Sequence, residues 1–465
     1  MPGNKDNPAS LFLGLDFGTS GCRGIVIDTN GRIQAQAGSP YPDPQVTGDT
    51  SRQDPAHWQD ALYQVCDQLR QHTAPQQIKA IALDATSSTL LAISGHPISG
   101  HPPFISGHPP FIDVDFSTAA QPVSEAIMYN DRSAVEEAAL VSQYAPADSP
   151  ANGASASLAK MLWLQKHHPE AEVLLHQADW LTGLLCGRFT LSDTNNSLKL
   201  GFDPIHQCWP DWLIRLWAEH LADKTKPTIY PPGTQVGTLC NPRLLDMGFS
   251  PSTRINAGTT DSTAAFLATG ANQPGDAVTS LGSTLVLKIL ATAPVFAPEY
   301  GVYSHRLGNR WLIGGASNTG GRVLKHYFSV PQIQALSAQI TPDEPTGLRY
   351  YPLLNSGERF PVNDPKLAPV LSPRPDSDAR FLQAIFEGIA EIEVQGYQRL
   401  QALGAPSLRR LFSVGRGAAN QPWTDLRRTR LHHAFPQTAF TTPTSEHAAY
   451  GAALLASIQD THKLP

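Results

Sequence analysis

The sequence predicts an α/β protein of two domains, and three observations carry that reading. The chain has 465 residues, more than one hydrophobic core normally supports. Short apolar strands alternate along it with helical stretches that carry one apolar face. A strand–glycine–hydroxyl–strand unit occurs twice, around Gly18 and around Gly282, as a trace of a duplicated domain.

Composition narrows the class. Hydrophobic residues make up 41% and charged residues 16%, a globular balance. A net charge of −6 speaks against a nucleic-acid partner, which would need a basic face, and suits a neutral small-molecule substrate. The five cysteines (Cys22, Cys66, Cys186, Cys208, Cys240) are odd in number, scattered and without a C-x-x-C pair. A disulfide framework or zinc site is not expected, and a reducing, cytoplasmic setting is. Residues 1–10 are short and polar and read as a disordered start without a signal peptide. The apolar runs are too short to cross a bilayer, so no membrane partner is expected.

The elements follow in order. Leu11–Leu15 reads as a strand, then a loop from Asp16 to Gly21, then Gly24–Ile27 and the turn Asp28-Thr29-Asn30-Gly31. The glycine loop therefore joins two strands of a hairpin, not a strand and a helix. Asp54-Pro55 opens a helix whose stripe is Trp58, Leu62, Val65 and Leu69. Ile78–Leu83 is a strand leading into Asp84–Thr89. Residues 93–112 hold a tandem heptapeptide, Ile98–Phe104 and Ile105–Phe111, too Pro- and Gly-rich for a helix and read as an expanded surface loop. After Asn256, the run Gly258-Thr259-Thr260-Asp261 precedes a helical segment. Val278–Ser280 and Leu285–Leu290 flank Gly282-Ser283-Thr284. Phe381 to Leu400 marks a long amphipathic helix, Leu411–Val414 a strand, and Ala448–Ile458 a closing helix.

Three motifs bear chemistry. In the first loop, Gly18 and Gly21 permit a tight turn, so backbone N–H groups and the Thr19 and Ser20 hydroxyls can face a phosphate. Asp16 can hold Mg²⁺, which takes few carboxylates beside phosphates and waters. An ordinary hairpin with an Asp turn accounts for the same residues. Gly282, Ser283 and Thr284 form the second such loop, and a triphosphate needs donors from both. Asp261 reads either as a helix N-cap or as a general base that orients an attacking hydroxyl. Gly415, Gly417 and Asn420 after a strand suit an adenosine site, or a plain strand-to-helix turn. Position 420 is Asn, so no G-x-G-x-x-G fingerprint is present, and no Walker sequence occurs.

In this order, Leu15–Ser20, Tyr129–Arg132, Ser192–Gly201, Gly258–Ser262, Ser280–Thr284, Gly357–Pro361 and Gly415–Asn420 resemble the FGGY family of carbohydrate kinases. The resemblance runs from Leu13 to Ala456. It implies a ribonuclease-H/actin-like fold of two lobes, each a mixed five-stranded sheet with flanking helices, with ATP and a small-molecule sugar as ligands and Mg²⁺ as metal. Residues 11–255 would form the sugar- and phosphate-binding lobe and residues 256–465 the ATP-binding lobe. The resemblance makes Asp261 the base, sets Asp16 beside metal and phosphates, and puts Ser87, in Asp84–Thr89, on the sugar. The Asp-Ala-Thr-Ser and Asn-Ser-Leu-Lys-Leu-Gly runs are most similar to pentulose kinases, which implies D-ribulose as substrate with D-xylulose or another polyol as alternatives. An actin-like ATPase scaffold and a degenerate sugar sensor stay open beside them. Arg416 departs from the family's adenosine loop, where a third glycine is common, and is expected either to displace the loop or to reach a phosphate. Oligomeric state has no signature in the chain.

Overall fold

The computed structural model describes residues 10–94 and 120–458. The expected disordered start, Ser10 apart, and the heptapeptide duplication beyond Ser94 lie outside the described residues.

The described chain forms two compact units, one running to Ala268 and resuming at His447, the other spanning Thr269–Glu446. In the first, β1 (Leu11–Phe17) and β2 (Gly21–Asp28) pair antiparallel, and β2 pairs antiparallel with β3 (Ile33–Pro40). On the other side β1 runs parallel to β4 (Ile78–Ala85), which pairs parallel with β5 (Arg254–Asn256) and β6 (Thr259–Thr260). The helix expected after Asp54 is α1 (Ala56–Leu69), and the Asp54 carboxylate accepts from the Ala56 amide at 2.9 Å. Trp58, Leu62, Val65 and Leu69 are buried on the sheet with Leu13, Leu15 and Val26, one continuous core.

The second unit repeats the wiring. β7 (Asp276–Leu281) pairs antiparallel with β8 (Leu285–Ala291), and β8 with β9 (Arg310–Ser317). On the other side β7 is parallel to β10 (Arg410–Val414), which is parallel to β11 (Ala439–Thr441). The order β3-β2-β1-β4-β5 thus recurs as β9-β8-β7-β10-β11, with the same parallel and antiparallel steps. The expected five-stranded sheets are present as these cores. The first carries Gln235–Thr238 outside β5, and the second Tyr303–Leu307 outside β9. The long helix runs from Asp378 to Ala402 and packs its buried face on the second sheet.

The expected boundary between residues 255 and 256 is corrected. β6 and the helix α2 (Asp261–Ala268) stay with the first sheet, because β6 pairs with β4. The C-terminal helix α3 (Ala448–Ser457) returns there too. Its backbone rides directly on α2: a Cβ at Gly451 would meet the Ala264 carbonyl oxygen at 1.9 Å, so only glycine fits that approach. Among the described residues no helix is long and apolar enough to cross a membrane, and the five cysteines are unpaired.

Candidate active site

Strand register assembles the acidic centre. β1, β4 and β6 are mutually parallel neighbours around β4, and their C-terminal ends coincide. Asp16 on β1 is opposite Asp84 on β4, and Asp84 is opposite Thr259 on β6, two residues before Asp261. A Cβ at Gly258 would lie 1.7 Å from the Leu83 carbonyl oxygen, so the chain can enter β6 only through a glycine. Asn195, from the Ser192–Gly201 motif, donates its Nδ2 to Thr259 Oγ1 at 2.9 Å and braces the strand. Asp261 opens α2, and one carboxylate oxygen accepts from the Ser262 amide at 2.6 Å. The helix start anticipated for it is present, and its half-buried carboxyl is electrostatically coupled to Asp16 and Asp84.

Asp84 was missed as a charged site residue. It is fully buried, and among the described residues no N–H or O–H donor reaches either carboxyl oxygen; its neighbour is the Asp16 carboxyl. Burial, then the charges of Asp16 and Asp261, push Asp84 well above the usual carboxylate range. Burial likewise raises Asp16 to about 6, opposed by the Asp84 carboxyl, which when protonated can donate to it, and by Arg23. The signal was available: Asp84 ends an apolar strand just as Asp16 does, and parallel pairing of two such strands sets the acids side by side.

The first loop turns its carbonyls inward. Tyr41 Oη donates to the Gly18 carbonyl at 2.6 Å, Gln53 Nε2 to that of Thr19 at 3.0 Å, and the Tyr41 amide to that of Ser20 at 3.1 Å. The Thr19 and Ser20 amides meet no acceptor among the described residues. This fits an anion-binding concavity. The second loop is built the same way: the Gly321 and Arg322 amides donate to the Gly282 and Ser283 carbonyls at 2.9 and 3.1 Å, and Ser283 is exposed at the tip.

Gly415 and Gly417 pack on Leu281, beside the second loop. Gly415 has φ +87°, where glycine is favoured. Arg416 is exposed in a short 3-10 turn and has no positive φ, so neither loop displacement nor backbone strain follows from it. Asn420 caps the helix Gln421–Ala434 by accepting from the Trp423 amide at 3.1 Å, and its Nδ2 donates to Ser337 Oγ at 2.7 Å. Both ends of its side chain are thus engaged within the protein.

Ser87 is half-buried at the tip of a turn whose other residues, from Asp84 to Leu90, are buried. Lys160, another residue the sequence did not single out, holds this turn from beneath. Its Nζ donates to the Ser88 and Met128 carbonyls at 2.9 and 2.7 Å and to that of Tyr129 at 3.2 Å. Burial pulls its ammonium down to about 7 against the Asp131 carboxylate, which raises it. In the same motif Asp131 accepts from the Ser51 amide at 2.6 Å and pairs with Arg52.

Among the described residues no three metal-ligating side chains converge on one point. Asp16 and Asp84 offer a carboxyl pair in which both Asp84 oxygens lack a partner among the described residues, which suits Mg²⁺ completed by phosphates and water, not an all-protein cage.

These features fall within a known class. Residues 11–94 match the N-terminal domain, and residues 277–459 the C-terminal domain, of the FGGY family of carbohydrate kinases. The chain belongs to that family, and it is a sugar kinase. It is 24% identical to a xylulose kinase of Escherichia coli over 96% of this chain and 90% of that one. It is also 24% identical to a ribulokinase of Anoxybacillus flavithermus, over 60% of this chain and 53% of that one. In fold it matches a xyloylose (xylulose) kinase of Brucella ovis with TM-score 0.80 and 23% identity, covering 96% of this chain and 90% of that one. The ribonuclease-H/actin-like architecture expected from the sequence is thereby present.

Proposed function

We propose that this kinase transfers the γ-phosphoryl group of ATP to the terminal hydroxyl at carbon 5 of a ketopentose, D-ribulose giving D-ribulose 5-phosphate. The observation that carries the reading is the register that lines up Asp16, Asp84 and the approach to Asp261 at the ends of three parallel strands. In this assignment Asp261 accepts the proton of the attacking hydroxyl and orients that oxygen more than it activates it, because phosphoryl transfer passes through a loose transition state. Ser87 holds the sugar from the tip of its turn. The Thr19 and Ser20 amides bind phosphate oxygens, as do Gly282, Ser283 and Thr284 of the second unit. Gly415 and Gly417 let the nucleoside approach the backbone there, and Asn420 supports that loop as its cap. Asp16, with Asp84 behind it, would hold Mg²⁺, which when bound neutralises phosphoryl oxygens.

D-xylulose is the second reading. It is favoured because the relatives that span nearly the whole chain are named xylulose kinases, whereas the ribulokinases match only part of it. The test is a coupled ADP-release screen with ATP and Mg²⁺ across D-ribulose, D-xylulose, L-ribulose, L-xylulose, glycerol and common alditols. Turnover is expected with one D-ketopentose well above the rest. Turnover with glycerol or alditols alone would overturn the ketopentose assignment. ADP release indifferent to every sugar would overturn kinase action on sugars and favour an ATPase scaffold.

A further inference from the structure

Behind the Ser87 turn runs a buried polar chain that the proposed chemistry does not use. Ser88 Oγ lies 3.2 Å from Ser157 Oγ, Ser157 Oγ lies 3.0 Å from His176 Nε2, and His176 Nδ1 lies 3.0 Å from Asp179 Oδ2. Serine, histidine and aspartate in this order form the constellation of a hydrolytic nucleophile. Here the constellation is sealed: Ser157 is 0% exposed, His176 1% and Asp179 4%. No substrate reaches the Ser157 hydroxyl, so its role is mechanical.

What it acts on is the turn. Ser88 has φ +61°, a left-handed conformation that a non-glycine residue holds only when its surroundings impose it. The surroundings here are polar and internal: the Lys160 ammonium on the Ser88 carbonyl, and the Ser157 hydroxyl on the Ser88 side chain. A fully satisfied buried network of this kind rigidifies what it touches. Ser87, the residue before it, is the one residue of the turn that is not fully buried.

We propose that Ser157, His176 and Asp179 are positioning residues for the sugar, fixing the Ser88 backbone so that Ser87 is presented at one height and angle, and so set affinity for the sugar without touching it. This rests on the assignment of Ser87 to the sugar made above.

The experiment is steady-state kinetics with D-ribulose and D-xylulose on wild type, Ser157→Ala, Ser88→Ala and the double variant. Losing one hydrogen bond of the relay is expected to raise the KM for the ketopentose about tenfold, with the KM for ATP held within about twofold. Because both serines act through one contact, the double variant is expected to match the worse single variant and not to multiply the two losses. Should Ser157→Ala fail to fold, Asp179→Asn, which keeps its shape but loses its charge, is expected to show the same selective rise. An unchanged sugar KM, equal rises for sugar and ATP, or multiplicative losses would overturn the positioning role. A wild type that turns over neither ketopentose would overturn the sugar assignment itself, and the relay's role with it.

Discussion

The two sheets share one wiring diagram and differ in what they carry at the same places. In the first unit the register positions at the hairpin's edge are Asp16 and Asp84; in the second, the equivalents are Ser280 and Val414. In both loops the carbonyls accept hydrogen bonds from elsewhere in their own unit. The hairpin-and-loop frame is thus duplicated, while the acids occur in one copy. Charge is also handled in opposite ways. The buried Glu393 of the second unit is matched by Arg427 at 2.6 and 2.7 Å and accepts from Thr279 at 2.6 Å. The first unit leaves Asp84 buried with only another acid as neighbour and, among the described residues, no donor to either oxygen. A satisfied ion pair serves the fold; an unsatisfied carboxyl is a cost retained at a site that binds something else.

The strongest test of that contrast removes the proposed base. Asp261→Ala is expected to lower kcat about 10³-fold while ATP binding by calorimetry stays within about threefold, since base removal typically costs 10²–10⁴-fold. Retained turnover would return Asp261 to the role of a helix-start residue. Next is the second unit's ion pair. Arg427→Met strands Glu393 in the core and is expected to cost about 3–5 kcal/mol, read as a lowered denaturant midpoint. A loss below about 1 kcal/mol would mean that Glu393 takes up a proton at little cost, and the contrast between the units would weaken.

The sequence made both hairpins legible because glycine and hydroxyl residues between two apolar runs admit few backbone solutions, as at Gly18–Gly21 and Gly282–Thr284. It also showed that Asp261 opens a helix, and the structure starts α2 there. The acidic pair was legible in part only. Asp16 stood out beside its glycine loop, but Asp84 becomes its neighbour through parallel pairing of strands more than sixty residues apart, which no local pattern displays. Lys160 and His176 were invisible for the same reason: each sits in a helical or strand segment where the pattern reads as core. The domain limit was misplaced because a chain reading cannot show that residues from His447 on return to the first sheet.

A smaller effect, with opposite sign, belongs to the acids. Asp16 binds its proton up to about pH 6 in the folded protein but only to about 4 when unfolded. Between those values the folded state holds more protons, so its stability falls as pH rises and stays lower above pH 6. Without nucleotide or Mg²⁺, Asp16→Asn is therefore expected to stabilise the protein at pH 7.5 by on the order of 2 kcal/mol and to do nothing at pH 4. Thermal melts at the two pH values read this directly, and Mg²⁺ is expected to raise the wild-type midpoint more than the variant's. Equal stability of the two proteins at pH 7.5 would show that Asp16 carries no such strain.

The smallest effect expected is at Arg416. An arginine in the glycine loop after β10 would harm nucleotide binding if the loop needed a left-handed residue or an empty space there. Neither holds: the positive φ belongs to Gly415, and the crowding falls on Gly417, where a Cβ would meet the Trp423 ring at 2.6 Å and Leu281 Cβ at 2.7 Å. Arg416→Gly is therefore expected to change the KM for ATP by less than about twofold at physiological salt, because an exposed charge contributes little. Gly417→Ala, one residue on, is expected to raise that KM between about fivefold and about a hundredfold as the loop is pushed off Leu281, a packing clash of roughly 1–3 kcal/mol. A large loss in the arginine variant at low salt that vanishes at high salt would instead give the guanidinium a phosphate to hold, and the second unit would then have a charge of its own opposite in sign to the first unit's acids.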